Sequence, residues 1–493
     1  IRSICGPLVH DPGTMSDRDE ILALSAVELA GRVRARELSA VELVEAALGR
    51  VEQVNGTLNA VVTLNPRALD EARAVDTRLA RHEDPGLLAG LPVGIKDVTP
   101  VAGLRHTYGS PLYRDHVATD DAVVVQRLRA AGAVVLGKTN TPEFAAGGNT
   151  WNDVFGRTRN PWNPDRSAGG STGGGACALA TGMIAIAEGT DLGGSLRIPA
   201  SFCGVVGLRP SVGLVPTHPS DWVWDTLQVT GAMARSADDV ALALQAIAGP
   251  SPFAPLGQPL AGRDFLEAVR AGLKPGLRVA YCPDIAGIGV DREIESICRH
   301  VVQQLALMGA EVEEVELDLR FAREAFLALR GLWFVTWMHE RLERLDRFGV
   351  NVQNNTRSGL ETSALELAAA EQARGRVWRL FRELFGRVDH LLTPTMAVPP
   401  FPVEQNYPDS IAGRPMQTYV DWIAPTFVLS LTGLPIASVP CGLDPEGLPV
   451  GLQIVGAPMG EEAVLALAAR IQELCPIGAP PLAKLEPPKA KTS

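Results

Sequence analysis

Short apolar runs rich in Val, Ile and Leu recur along the chain, and stretches with apolar residues at helical spacing separate them. The runs are NAVVTL (59–64), LPVGIKD (91–97), AVVLGK (133–138), GMIAIAEG (182–189), VVGLRP (205–210), LRVAYC (277–282), EVEEVEL (311–317), HLLTPT (390–395) and IASVPCGL (436–443). Helical spacing fills 25–54, 67–82, 120–131, 291–308, 361–386 and 461–474. Within the first of these, Ser25 and Ser39 are each followed three residues later by Glu28 and Glu42, the pattern of a capping box, so two helices are expected there. Strands alternating with helices call for an α/β fold: a central mixed β-sheet with helices on both faces.

The domain is expected to be single and large, spanning 16–480, with a core at about 86–248 and a helix-rich, pocket-forming part at about 318–388. GPSPFAPLGQPLAG (249–262) and PPFPVEQNYPDS (399–410) are rich in Pro and Gly, but strands resume after each, so both are read as connections inside one domain. The start before Met15 has no apolar signal-like region and is read as an upstream segment, 1–15, outside the fold; 481–493 is read as a tail. With 46% hydrophobic and 20% charged residues the chain can fill a sizeable core. A net charge of −11 opposes binding to nucleic acid or anionic membranes, so a small-molecule partner is expected. No run reaches the ~18 apolar residues of a membrane span. Seven scattered cysteines without a C-x-x-C pair point to a reducing compartment, the cytoplasm.

Two motif matches mislead. Gly132 to Thr139, GAVVLGKT, fits the phosphate-loop pattern G-x-x-x-x-G-K-[ST], but its interior is strand-like and Pro142 follows where a helix should start. Lys138 is instead expected to end a strand and pair with a carboxylate such as Glu143. GGSTG (169–173) fits the nucleophile elbow G-x-S-x-G, which would give an α/β-hydrolase using Ser171 and one of His218, His300, His339 or His390. That elbow needs a strand before it, and NPWNPDRSA precedes it instead. No zinc-type spacing of His and Cys is present.

A different chemistry comes from AGGSTGGGACALATGMIAIAEGTDLGGSLRIPA (168–200), which holds two glycine-flanked serines, Ser171 and Ser195. A glycine turn lets backbone N–H groups converge on one oxygen, the outline of an oxyanion hole. A lysine such as Lys96 in PVGIKD can replace histidine as base when burial lowers its pKa. Taken singly, each element also fits a structural turn or a surface cation.

The stretch GRTRNPWNPDRSAGGSTGGGACALATGMIAIAEGTDLGGSLRIPASFCGVVGLRPSVGLVP resembles the signature region of the amidase signature family of serine amidohydrolases. LPVGIKD, GKTNTPEF, LLTPT, LTGLPIASVPCG and GLPVGLQIVG fit the same family, so the resemblance covers about 20–475. It implies a Ser-cisSer-Lys triad of Ser195, Ser171 and Lys96, an oxyanion hole from the N–H groups of Leu192, Gly193, Gly194 and Ser195, and no metal or organic cofactor. The expected reaction is hydrolysis of a non-peptide carboxylic amide through an acyl-enzyme on Ser195. The sequence departs from the family pattern at Leu192, Thr172, Ala168, Gln228 and Ala232, where Thr, Ser, Pro, Asp and Pro are common; the last two positions bear on the pocket wall.

Family members act on amides of many kinds, and fold alone does not choose among them. Trp222, Trp224, Trp333 and Trp337 lie outside the signature block; lining a pocket mouth, they would favour apolar or aryl amides, esters and carbamates (urethanes). The alternative within the family is the glutamine-hydrolysing subunit of a tRNA-dependent amidotransferase. A monomer or homodimer is expected.

Overall fold

The computed structural model describes residues 17–260 and 262–485, so the upstream segment 1–15 and the end of the tail lie outside the described residues. The strands are β1 (Val61–Leu64), β2 (Pro92–Lys96), β3 (Val134–Thr139), β4 (Trp151–Asn152), β5 (Gly156–Arg157), β6 (Ile186–Asp191), β7 (Val206–Arg209) and β8 (Val229–Ala234), then β9 (Arg278–Tyr281), β10 (Glu311–Glu314), β11 (His390–Pro394), β12 (Ser410–Ile411), β13 (Arg414–Pro415), β14 (Ile436–Leu443) and β15 (Pro449–Gly456). Eleven of them form one mixed sheet in the order β1-β3-β2-β6-β8-β7-β14-β15-β11-β9-β10, while β4/β5 and β12/β13 are small separate ribbons. Pairing is parallel around β2, which lies between β3 and β6, and around β9, which lies between β10 and β11. Antiparallel steps join β6 to β8, β7, β14, β15 and β11 in turn. This is the single layered α/β domain that the alternation called for.

Helices cover the sheet on both faces, and every residue of its strands β2, β3 and β6 is buried. Ser25 and Ser39 cap helices Ala26–Ala35 and Ala40–Leu58 with complete capping boxes, and Ser363 with Glu366 does the same for Ala364–Leu384. Each cap is worth about 1 kcal/mol. The stretch 249–260 runs over the surface, tied by Gln258 N–H to the Gly213 carbonyl at 3.0 Å. The chain after 480 continues as a short 3-10 turn, Leu482–Lys484, and Leu485 is buried in the main core.

A second apolar cluster gathers Phe326, Phe334, Phe381, Trp422 and Phe427 beneath helices Ala322–Met338, Val350–Glu361 and Ala364–Leu384. The first two of these helices cross backbone to backbone at Gly331 and Gly359. A Cβ on Gly331 would lie 2.8 Å from the Gly359 Cα, so neither position has room for a side chain. This helical layer faces the turn that carries Ser195, since a Cβ on Gly193 would lie 3.0 Å from Phe326 Cζ.

Lys138 sits inside β3, and Asn140 and Thr141 follow the strand without a helix, so the phosphate-loop geometry is missing. Its ammonium is buried, 3.7 Å from Asp97 Oδ1 and 3.5 Å from the Asp97 carbonyl. The expected partner Glu143 is displaced from that role because its carboxylate accepts the Gly349 N–H at 2.5 Å. No helix among the described residues is long and apolar enough to cross a membrane, and no disulfide is formed among the described cysteines.

Candidate active site

β2 and β6 run side by side and parallel, with Val93 opposite Ile186 and Gly94 opposite Ala187, so their C-terminal ends meet. That register brings Lys96, the last residue of β2, beside Thr190 near the end of β6. Lys96 Nζ donates to Ser171 Oγ at 2.7 Å and to Thr190 Oγ1 at 3.1 Å, all within the protein interior. Ser171 follows a cis Gly170–Ser171 peptide and precedes helix Gly173–Ala180. The chain before it is irregular, so the strand that a nucleophile elbow requires is missing. None of His218, His300, His339 and His390 supplies the Ser171 contact. His390 is locked inside β11, and His218 stacks on Phe253 with ring centroids 4.4 Å apart.

Ser195 lies on the turn between β6 and helix Arg197–Cys203, where Thr172 N–H donates to the Ser195 carbonyl at 3.2 Å. The structure therefore joins the two serine segments through adjacent backbone, and Ser195 is half-buried where Ser171 and Lys96 are enclosed. The turn around Ser195 is held by Asp191, which no motif singles out. Its carboxylate accepts Gly194 N–H at 2.9 Å and Leu196 N–H at 3.1 Å. Arg197 grips it from Nε at 3.1 Å and Nη2 at 2.9 Å, and Arg209 adds Nη1 at 3.3 Å. Burial favours the neutral acid, but the two guanidiniums and the N–H donors outweigh it and keep the Asp191 carboxyl well below the usual carboxylate range. The signal was present as charged residues, Asp191, Arg197 and Arg209, inside an otherwise apolar, glycine-rich block.

This clamp changes one expectation. Of the four N–H groups assigned to an oxyanion hole, that of Gly194 is spent on Asp191 Oδ1, which leaves Leu192, Gly193 and Ser195. Glycine is required at 194: its φ is +123°, and a Cβ would collide with Thr426, whose hydroxyl donates to the Gly193 carbonyl at 2.6 Å.

Burial lowers the Lys96 pKa to about 7, against the opposing pull of the Glu188 and Asp191 carboxylates. Glu188 is fixed between two donors, accepting Lys96 N–H at 3.1 Å and Thr99 Oγ1–H at 2.9 Å. Burial raises its pKa. A lysine held this way is part neutral at physiological pH and can accept a proton from the hydroxyl it touches.

Beside Thr190, the partner of Lys96, lies a cavity of about 150 Å³ whose lining includes Thr190, Tyr108, Trp222, Trp333, Trp337 and Gln228. Helix Ala322–Met338 supplies two of the tryptophans. Trp224 is the exception among the four expected tryptophans: it is 62% exposed and takes no part in the cavity wall. Gln228 lines the cavity, whereas Ala232 is buried within the sheet. Among the described residues no group of His, Cys, Asp and Glu is placed to hold a metal ion.

The Amidase family profile matches residues 42–465. The chain belongs to the amidase family. It is 36% identical over 457 residues to a glutamyl-tRNA(Gln) amidotransferase subunit of Carboxydothermus hydrogenoformans, covering 86% of this chain and 92% of that protein. It is 34% identical over 465 residues to an acylamidase of Rhodococcus erythropolis, covering 92% and 96%. Among solved structures, a bacterial aryl acylamidase of the amidase signature family superposes with a TM-score of 0.86 at 28% identity, covering 91% of this chain and 96% of the other. A 6-aminohexanoate cyclic dimer hydrolase bound to its substrate superposes with a TM-score of 0.83 at 28% identity, covering 94% and 99%. The amidase family fold and an amidohydrolase activity thus follow for this chain, with the substrate left to its own pocket.

Proposed function

We propose that this amidase-family chain is a free-standing acylamide amidohydrolase that cleaves linear, non-peptide C–N bonds of aryl or apolar amides. The observation that carries the reading is the buried Lys96 Nζ at 2.7 Å from Ser171 Oγ, with the Ser195 turn bonded to the next residue, Thr172. Neutral Lys96 takes the Ser171 proton as Ser171 takes that of Ser195, and Ser195 Oγ attacks the carbonyl carbon. The N–H groups of Leu192, Gly193 and Ser195 hold the oxyanion; a donor so placed is worth ~10²–10³ in rate. The relay then runs backward, protonating the amine as the C–N bond breaks, and water repeats the attack on the Ser195 ester. The scheme calls for no cofactor.

Aromatic cavity walls support aryl amides, and the same relay extends to aryl esters and carbamates, whose leaving groups depart more easily. The test is Ser195→Ala: hydrolysis of acetanilide and covalent labelling by a fluorophosphonate should both vanish. Labelling that maps to Ser171 would instead favour an elbow-type nucleophile.

A second reading, the glutamine-hydrolysing subunit of a tRNA-dependent amidotransferase, is favoured by the 36% identity to a glutamyl-tRNA(Gln) amidotransferase subunit. The two readings part on one measurement with the purified chain. Turnover of anilides without any partner supports the free-standing amidase, and turnover of glutamine only with partner subunits supports the other.

A further inference from the structure

Gln228 lines the cavity beside Thr190, and its backbone N–H donates to Asp225 Oδ1 at 3.1 Å. Among the described residues its side-chain amide has no protein partner, and neither the amide oxygen nor the amide nitrogen is shut away from solvent. Other polar groups on that wall are engaged. Asp225 also accepts Leu227 N–H and Trp333 Nε1–H, each at 2.7 Å. The Thr217 and Thr230 hydroxyls pair at 2.9 Å, and Arg341 donates to the Tyr113 hydroxyl at 3.0 Å and the Trp337 carbonyl at 2.6 Å. Gln228 therefore offers a free donor and a free acceptor side by side.

The sheet sets that amide close to the relay. β8 pairs with β6 in the register Thr190–Thr230 and Asp191–Val229, and the ladder ends there, so Gln228 comes just before β8 at the end where Leu192 follows β6. Alternation puts Gln228 on the face of Thr230, and both line the cavity. Thr190, opposite Thr230, accepts from Lys96 Nζ at 3.1 Å. Diagonal neighbours such as Thr190 and Gln228 have Cβ atoms about 7 Å apart, roughly the span from an anilide nitrogen to a substituent on its ring. Arg209 fixes this spacing: Nη2 donates to the Leu227 carbonyl at 2.9 Å, and Nη1 lies 3.3 Å from Asp191 Oδ1. The same carboxylate holds the N–H groups of Gly194 and Leu196 on either side of Ser195.

We propose that Gln228 is a specificity-determining residue: its side-chain amide binds an uncharged polar substituent, such as a hydroxyl, on the ring of the leaving aryl amine. The placement rests on the amidase reading above, in which the relay beside Thr190 returns its proton to the leaving nitrogen. A hydroxyl can accept from the amide nitrogen or donate to the amide oxygen, whereas an alkyl group of the same size leaves both unmet. An ammonium ion meets the oxygen alone.

The probes are acetanilides carrying hydroxymethyl, ethyl or aminomethyl at the 3- or 4-position, three substituents of one size that differ in polarity and charge. In wild type at least one hydroxymethyl isomer should exceed its ethyl partner in kcat/KM by about five- to tenfold, the scale of one hydrogen bond. In Gln228→Met, which keeps the length of the side chain, that ratio should fall to near one. In Gln228→Glu the aminomethyl-to-ethyl ratio should rise about tenfold over wild type, because the ammonium then meets a carboxylate. Gln228→Leu serves as the apolar arm if the Met variant does not fold. A ratio near one for both hydroxymethyl isomers in wild type, or a hydroxymethyl preference that survives in the apolar variants, overturns the proposal; so does an aminomethyl ratio that Gln228→Glu leaves unmoved. Calorimetric binding of the same compounds to Ser195→Ala, with and without Gln228→Met, separates the two readings. A hydroxymethyl preference in binding that depends on Gln228, alongside no anilide hydrolysis by wild type, keeps Gln228 and refutes the amidase reading. Anilide hydrolysis with no Gln228-dependent preference in either assay keeps the amidase reading and refutes Gln228.

Discussion

Replacing Glu188 by Gln changes the charge beside Lys96 while keeping the shape of the side chain, and the direction of the outcome follows from the structure. Lysine has an ordinary pKa of about 10.4, at which only about one molecule in 10³ carries the neutral amine at pH 7. Burial brings Lys96 to about 7, where half do, and Glu188 and Asp191 are what keep it from falling further. An opposite charge at close range shifts a pKa by about 1–3 units. Removing the Glu188 charge should therefore lower the Lys96 pKa by about one unit or more. The amide carbonyl of Gln can still accept Lys96 N–H, which Glu188 Oε2 accepts at 3.1 Å, and its NH₂ can donate to the Thr99 hydroxyl that now donates at 2.9 Å. The assay is kcat/KM for acetanilide between about pH 5 and pH 9 at constant ionic strength. The acid limb of the wild type should centre near 7, as does the Lys96 pKa, and that of Glu188→Gln should lie lower, so that the variant outperforms wild type relative to its own plateau at low pH. An unmoved limb would show that Lys96 is not the group being titrated, and an upward shift would contradict the electrostatics outright.

Three further outcomes are expected. Ser171→Ala should cut anilide turnover by ~10² or more, since it removes a general acid–base group, yet leave the thermal transition close to wild type; full activity would refute the relay. Asp191→Asn leaves Arg197 and Arg209 buried without their carboxylate and should cost about 3–5 kcal/mol in urea unfolding. Because the Asp191 pKa is lowered in the folded state, its contribution is present above the unfolded value of about 3.9 and is lost as pH falls below it, so the gap between wild type and variant should narrow in acid; a constant gap would contradict this. Lys138→Ala should confer no change in ATP or Mg²⁺ response, since wild type should have none, but should lower stability by leaving Asp97 as an unpaired buried charge; ATP-stimulated turnover in wild type would revive the phosphate loop.

The fold was legible wherever the signal is local. Ser25, Ser39 and their glutamates mark helix starts because a cap is decided within four residues, and β2, β3, β6, β7, β9 and β11 stand out as apolar runs between breakers. β8 and β15 were harder: VTGAMA and PVGLQIVG contain glycines and a glutamine that blunt a strand pattern, and their pairing partners settle the matter. At the candidate site, Lys96, Ser171 and Ser195 sit in motifs, and Lys96 and Ser171 are in contact. What the motifs could not carry is long-range. Arg197 reaches Gln453 at 2.8 Å and Ser430 at 2.7 Å, and those partners come from segments more than two hundred residues away in the chain. The hydrogen bond from Gly194 N–H to Asp191 has the same origin: a run of glycines suggests free N–H groups, and whether a carboxylate has already claimed one depends on how the turn closes on itself. Trp224 and His106 make the contrast sharpest. Both are single side chains in loops, one facing solvent and the other buried in the wall of the cavity. Composition treats the tryptophan as the better candidate for a binding wall, and only the packing around β2 and helix Ala322–Met338 reverses that ranking. On the proposed reading, substrate choice is set by loops and a helical layer outside the glycine block, so relatives that share the block can be expected to differ in the amide they accept.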